Sequence, residues 1–297
     1  MPRRRSNFRN RIESFGVSLL LAAARRGTPE GAEAAGRRLG RLYRAIDRKR
    51  RDLAEQNLSR AFPEKGPDEI EALSIAVFEH FGGIAADVLH SVSEPPAALD
   101  ARVSVSGEER IRAGLASGRG LLLLTAHLGN WEYSALATAA AGFPATVIAR
   151  PLDNPLLEQL LKSFRERNGN SVVYKTDAAR EMLRVLHRGG IVGILADQHA
   201  RTSDAVVVPF FGRPAATTSI VARLATRTEA LIVPAVCART APARYHLSFE
   251  PEIDVRSLSP AEREPEPLSA RLNLEVERLV RRTPEQWLWL HNRWRLN

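Results

Sequence analysis

The sequence predicts an α/β fold, a central sheet covered on both faces by helices, behind a helical N-terminal region. Between Val103 and Phe249, apolar runs of three to seven residues alternate with amphipathic stretches, the pattern of strands buried on both faces. Up to Val92 the chain reads as helix, and Ser93-Glu94-Pro95-Pro96 closes that part. Composition agrees: 44% hydrophobic and 26% charged residues among 297 exclude wholesale disorder. No fixed period recurs, which excludes repeat arrays. The chain therefore divides into a basic, amphipathic helical region over residues 1–95 and an α/β domain over 96–297.

The N-terminal region carries the charge. Residues 1–51 hold 15 Arg/Lys against 4 Asp/Glu, a balance of +11, whereas the rest of the chain is nearly neutral at −2. Such an arm suits nucleic acid or an anionic membrane surface. Arg3, Arg4, Arg5, Arg9 and Arg11 precede a 10-residue apolar run, Phe15 to Ala24, about half of what a spanning helix needs. Ala22 and Ala24 leave a signal-peptide reading open. Arg37, Arg41, Arg44, Arg48 and Arg51 then recur at steps of 4, 3, 4 and 3, one helical face, with Leu39, Leu42, Tyr43 and Ile46 largely off it. A basic face behind a short apolar plug describes a protein lying on a bilayer, each Arg contributing about 1 kcal/mol near anionic lipid. The other reading is a solvated face on an ordinary core helix. The near-neutral body and the lack of any nucleic-acid motif argue against nucleic acid.

Helices follow over Arg48–Ala61 and Pro67–Val92, broken by Phe62 to Pro67. Strands are predicted at Val103–Val105, Leu121–Thr125, Ala145–Ile148, Ser171–Tyr174, Ile191–Leu195, Leu231–Cys237 and Tyr245–Phe249. The helices between and after them are Trp131–Ala141, Pro155–Asn168, Thr176–Arg188, Ser219–Thr226 and Ser269–Arg281, and Pro260 to Pro267 reads as a surface loop.

Chemistry concentrates where the most apolar strand ends, at His127-Leu128-Gly129-Asn130-Trp131-Glu132. Ligands of open α/β sheets bind at the carboxyl ends of strands. On a continuous helix His127 and Glu132 would diverge by about 140°. A turn at Gly129 and an N-cap at Asn130 would let Glu132 reach back to the imidazole. A carboxylate on one ring nitrogen fixes the tautomer and leaves the other as a general base.

His-x-x-x-x-Glu in this form resembles the lipid A biosynthesis acyltransferases, the lauroyl and myristoyl acyltransferase family. Arg51 to Pro63 with Asn57-Leu58, Arg150 to Leu156 followed by Arg165-Glu166-Arg167, Asp197-Gln198, Val208 to Gly212 with Ala216-Thr217-Thr218, and Pro284 to His291 with Arg293-Trp294 resemble further family blocks in order. The resemblance covers nearly the whole chain. It departs at the N terminus, where the family usually carries a full membrane helix. It implies a mixed, glycerolipid acyltransferase-like central sheet, and transfer of a fatty acyl group from acyl carrier protein (or acyl-CoA) to a hydroxyl of a lipid A precursor. It also implies the cytoplasmic face of the bacterial inner membrane, with peripheral or monotopic attachment here. A different glycolipid, aminolipid or lysophospholipid acceptor stays open.

His127 and Glu132 are thus the candidate catalytic pair, and Asn130, Trp131, Arg150, Arg167, Asp197 and Gln198 the candidate substrate-binding residues. Arg150 and Arg167 could instead form surface salt bridges, and Asp197 could cap a helix or pair with an Arg. Thr217 and Thr218 read as helix caps; Trp287, Trp289 and Trp294 as core or a membrane interface; His291 as structural. Cys237 sits in an apolar run and reads as a core thiol, so direct transfer is expected over an acyl-enzyme. Without a Cys/His cluster or a phosphate loop, no metal or cofactor is expected.

Overall fold

The computed structural model describes residues 13–14, 16–18, 21, 26–174, 178–201 and 205–295. The Phe15–Ala24 run falls largely outside them, as does Thr176. The helical region comprises α1 (Pro29–Ile46), α2 (Arg48–Ala61), α3 (Pro67–Ser91) and the short α4 (Pro96–Asp100). Thr28 caps α1 by accepting from the Gly31 amide, and Pro29 supplies a fixed φ in its first turn. The Asp47 carboxylate accepts from the Arg50 amide at 3.0 Å and starts a new helix there.

That break changes the reading of the basic arm. Arg37, Arg41 and Arg44 lie on α1, whereas Arg48 and Arg51 lie on α2, so the five form no single face. Arg37 and Arg41 both pair with Glu79 of α3. Arg44 reaches Glu55 at 2.6 Å and Glu71 at 3.3 Å. Arg44 is largely covered by its carboxylates, Arg37 is half-buried and Arg41 stays exposed beside Glu79, and α1 also exposes Leu39 (63%), Leu42 (55%) and Ile46 (71%). The helices approach closely because a Cβ at Gly36 would lie 2.2 Å from the Gly82 carbonyl oxygen, and one at Gly40 2.0 Å from that of Phe78.

The α/β region adds β1 (Val103–Ser106), α5 (Glu108–Ala116), β2 (Leu121–Thr125), α6 (Trp131–Ala140), β3 (Ala145–Ala149), α7 (Pro155–Arg165) and β4 (Ser171–Tyr174). It continues with α8 (Ala178–His187), β5 (Ile191–Leu195), β6 (Ala205–Phe210), β7 (Arg213–Thr218), α9 (Ile220–Thr228), β8 (Leu231–Ala241), β9 (Arg244–Phe249) and α10 (Pro265–Arg282). Seven strands form one mixed sheet in the order β1-β9-β8-β2-β5-β3-β4. Every neighbouring pair is parallel except β8 and β9. All seven strands expected from the sequence are present. β2 is apolar at successive positions because both its faces are covered: Leu122 and Leu124 enter one core cluster, Leu121 and Leu123 the other.

The structure differs from the sequence expectation at three places. β6 and β7, not expected as strands, form a separate antiparallel hairpin. Its turn residues Phe211 (φ 50°) and Gly212 (φ 67°) are both left-handed, as a two-residue type I′ turn requires. Pro209 and Pro214 argue against a central strand, but a two-stranded ribbon has edges on both sides. Helix α5 also went unread, and α10 begins at Pro265 instead of Ser269, with the proline in its first turn. Helix α3, with 25 residues, is long and apolar enough to cross a membrane. In this fold it packs inside the protein, where its buried Asp87 meets Arg102 at 2.7 Å and the Tyr245 hydroxyl at 2.7 Å.

Candidate active site

Strand pairing brings the site together. β2 and β5 are parallel neighbours with Thr125 opposite Leu195. His127 and Asp197 each lie two residues beyond those partners, so the register sets them side by side at the carboxyl edge. Nδ1 of His127 lies 2.8 Å from Oδ1 of Asp197. A carboxylate can only accept, so Nδ1 carries the hydrogen and Nε2 keeps its lone pair. The other carboxylate oxygen accepts from the His127 amide at 3.0 Å and from the Trp287 indole N–H at 2.8 Å. The Asp197 side chain is 1% exposed and that of His127 20%, so the imidazole alone reaches the solvent side.

Burial opposes charge on both groups, but their mutual attraction and hydrogen bond outweigh it. The His127 pKa is accordingly raised and that of Asp197 lowered.

The turn after His127 is fixed by sheet and C-terminal segment together. Gly129 has φ +62°, and a Cβ there would lie 2.1 Å from the Cys237 carbonyl oxygen of β8. That carbonyl accepts from the Asn130 amide at 2.8 Å, and the Gln286 carbonyl accepts from the Gly129 amide at 3.0 Å. The Leu288 amide donates to the His127 carbonyl at 3.1 Å. Buried His80 of α3 donates from Nε2 to the Gly129 carbonyl at 3.3 Å, and burial pushes its pKa down to about 4, so it stays neutral.

Asn130 caps α6 by accepting from the Tyr133 amide at 3.2 Å, as the sequence suggests. Glu132 lies in the first turn of α6, yet its carboxylate turns to Arg165 of α7, taking both guanidinium contacts at 2.8 and 2.5 Å. The expected Glu132–imidazole contact is therefore replaced by Asp197. From Glu132 the imidazole receives only a longer-range attraction.

The other expected site residues are spread unevenly. The Trp131 ring packs 5.2 Å from the His127 ring, centroid to centroid. Gln198 follows Asp197 and is half-buried, and Arg150 follows β3 on the same edge and is exposed. Arg167 is not at the site. Its guanidinium donates to the carbonyls of Ser91, Val92 and Glu94, capping the C-terminal end of α3. Thr217 accepts from buried Arg293 at 2.6 Å, inside the fold. His291 accepts at Nε2 from the His199 amide at 3.1 Å, and Cys237 is fully buried, its thiol pKa pushed well up by burial. Trp287 and Arg165 are the site residues that sequence reasoning passed over. An indole in an apolar stretch reads as core, and Arg165 stands out only as a member of a family block.

Comparison with known proteins matches the bacterial lipid A biosynthesis acyltransferase family over residues 4–296. The chain is 29% identical to the lipid A biosynthesis lauroyltransferase of Escherichia coli (strain K12), covering 86% of this chain and 83% of that one. It is 23% identical to the lipid A biosynthesis palmitoleoyltransferase of the same organism, covering 88% and 83%. A shorter match, 29% identical over 45% of this chain and 43% of the other, is to the phosphatidylinositol mannoside acyltransferase of Mycobacterium tuberculosis (strain ATCC 25618 / H37Rv).

Proposed function

The chain belongs to the bacterial lipid A biosynthesis acyltransferases and is an O-acyltransferase, and on that premise we propose that it transfers a fatty acyl group from acyl carrier protein to a hydroxyl of a lipid A precursor at the cytoplasmic face of the inner membrane. The observation that carries the mechanism is the His127–Asp197 pair at the carboxyl edge of the sheet. His127 is the general base, and Asp197 holds its tautomer and stabilises the imidazolium.

Nε2 removes the proton from the acceptor hydroxyl as its oxygen attacks the thioester carbonyl. The tetrahedral intermediate collapses with loss of the thiolate, which takes the proton back from the imidazolium. The product is an ester and the carrier leaves as a free thiol. No acyl-enzyme forms, a reading supported by the burial of Cys237. Glu132, clamped by Arg165, adds a second negative charge toward the imidazolium and locks α6 to α7. Trp131, Gln198 and Arg150 contact substrate beside the base, Arg150 suiting a phosphate or carboxylate of acceptor or donor.

The test is turnover of an acyl carrier protein thioester with a lipid A precursor in detergent micelles. His127→Ala should abolish it while leaving the far-ultraviolet circular dichroism unchanged; near wild-type turnover sinks the mechanism. Another glycolipid acceptor remains the second reading, favoured by the partial match to a mannoside acyltransferase. Turnover of a phosphatidylinositol mannoside with none of a lipid A precursor would decide for it.

A further inference from the structure

Helix α1 exposes an apolar stripe alongside exposed cations. A surface helix normally turns charge outward and its apolar stripe inward. Here Arg37 and Arg44 reach back to Glu79, Glu55 and Glu71, while Arg41 stays exposed beside Glu79. Leu39, Leu42, Tyr43 and Ile46, spaced as one helical stripe, are exposed. Below the stripe, α1 and α3 enclose an apolar groove of about 710 Å³, whose lining includes Gly36, Leu39, Tyr43, Phe78, Phe81 and Leu290. Contiguous exposed apolar surface of this kind marks an interaction face.

The charge around the stripe and the position of the groove select the occupant. Exposed Arg38 flanks the stripe, and exposed Arg48 and Lys49 begin α2 directly after it, inside a segment whose net charge is +11. An apolar stripe edged by cations complements an anionic bilayer, with hydrocarbon below and headgroups at the rim. A chain of neighbouring rings also links the groove wall to the proposed base. The wall residue Phe81 stacks 6.0 Å from Trp131, whose ring lies 5.2 Å from that of His127. The groove wall therefore lies two ring contacts from the imidazole.

We propose that the Leu39–Leu42–Ile46 face of α1 docks on an anionic lipid bilayer, sinking into the acyl boundary and opening the α1–α3 groove to the leaflet. The proposal rests on the membrane reading given under Proposed function and names its surface. Attachment through this face is apolar first and electrostatic second.

The full-length chain suits a site-directed probe, because its single cysteine, Cys237, is buried. Leu42→Cys and Ile46→Cys would each be labelled with a polarity-sensitive fluorophore, with Ala113→Cys on α5 as the control. Vesicles of phosphatidylethanolamine containing a quarter phosphatidylglycerol would then be added. Both α1 probes should shift to the blue and be quenched by lipid-borne quencher, while the control stays aqueous. The Leu42→Asn/Ile46→Asn variant should bind the vesicles at least tenfold more weakly, since burying one aliphatic side chain alone is worth about a factor of ten. Wild-type binding should survive salt of about 1 M, where the Debye length is only about 3 Å. Aqueous α1 probes on vesicle-bound protein, an equal response at the control, or unweakened binding of the double variant would each overturn the proposal. A blue shift before vesicles are added would do so too, because another part of the chain or a second copy then covers the stripe. Wild-type turnover in detergent micelles is read separately: its failure would count against the acyltransferase mechanism and leave the probe result standing.

Discussion

Asp197 acts on His127 twice, holding Nδ1–H at 2.8 Å so that Nε2 faces out, and raising the imidazole's affinity for a proton. As the proposed base, His127 must be neutral to work. Because the His127 pKa is raised above its ordinary 6.5, kcat/KM should fall with decreasing pH through an apparent pKa above that value. Asp197→Asn removes the attraction and leaves burial, which favours the neutral ring, so the acid limb should move to lower pH. The plateau should also drop, by roughly a thousandfold or more on the pattern of base-orienting carboxylates. An unmoved acid limb would remove His127 as the titrating base. Glu132→Gln should cost less, roughly tenfold to a hundredfold in kcat, since it leaves the Asp197 contact intact. It should also lower thermal stability, because it breaks the two contacts to Arg165 across the α6–α7 seam. If Glu132→Gln proved as severe as Asp197→Asn, the two carboxylates would have to exchange roles.

The turn and the C-terminal segment hold His127 at the scale of elements. Gly129→Ala would combine a left-handed φ with a Cβ 2.1 Å from the Cys237 carbonyl oxygen, a clash with backbone that side-chain movement cannot relieve. Activity should be lost and stability reduced. Cys237→Ala, which keeps that carbonyl and deletes only a buried sulfur, should stay active at a stability cost of about 1–2 kcal/mol. Incubation with acyl donor alone should leave the protein's mass unchanged; an adduct at Cys237 or at any serine would refute direct transfer. Trp287→Phe keeps an aromatic ring, smaller than the indole, and removes the N–H that reaches Asp197. A hydrogen bond to a charged group contributes about 1.5–3 kcal/mol, so kcat should fall roughly tenfold to a hundredfold with KM little changed.

These elements differ in how far they were legible. The strand ending at Thr125, the glycine turn and the Asn130 cap follow from local chemistry, and local chemistry is visible in one sequence. The partner of His127 is set by which strands are neighbours. Asp197 follows Leu195 at the same two-residue offset by which His127 follows Thr125, yet nothing local says that β2 and β5 pair. Glu132 is near His127 in sequence, but Arg165, thirty-three residues on, holds its carboxylate. The same limit explains α1. The spacing of its arginines is a local fact, but whether that face meets solvent or Glu79 depends on α3.

At the scale of the molecule, the basic N-terminal region is not an appendage on a separate catalytic body. Glu33 of α1 is buried, pairs with Arg239 of β8 at 2.5 Å and also accepts from the Ala243 amide in the β8–β9 turn. Asn57 of α2 donates to the carbonyls of Trp289 and His291 at 2.8 and 2.9 Å, bracing the segment that carries Trp287 to Asp197. Deleting residues 1–51 would therefore do more than remove a membrane contact. It would uncover the Phe78–Gly82 face of α3 and leave Arg239 without its carboxylate, and loss of one partner of a buried pair alone costs about 3–5 kcal/mol. At roughly 2–4 °C per kcal/mol for a chain of this size, the melting temperature of the 52–297 fragment should fall by about 10 °C or more. Because the damage reaches the sheet through β8, whose Cys237 carbonyl holds the turn after His127, turnover should drop on micellar and on bilayer acceptor alike. A fragment that melts like the full chain and loses turnover only on bilayers would show that α1 serves the membrane alone, and that its contacts to α3 and β8 contribute nothing to the site.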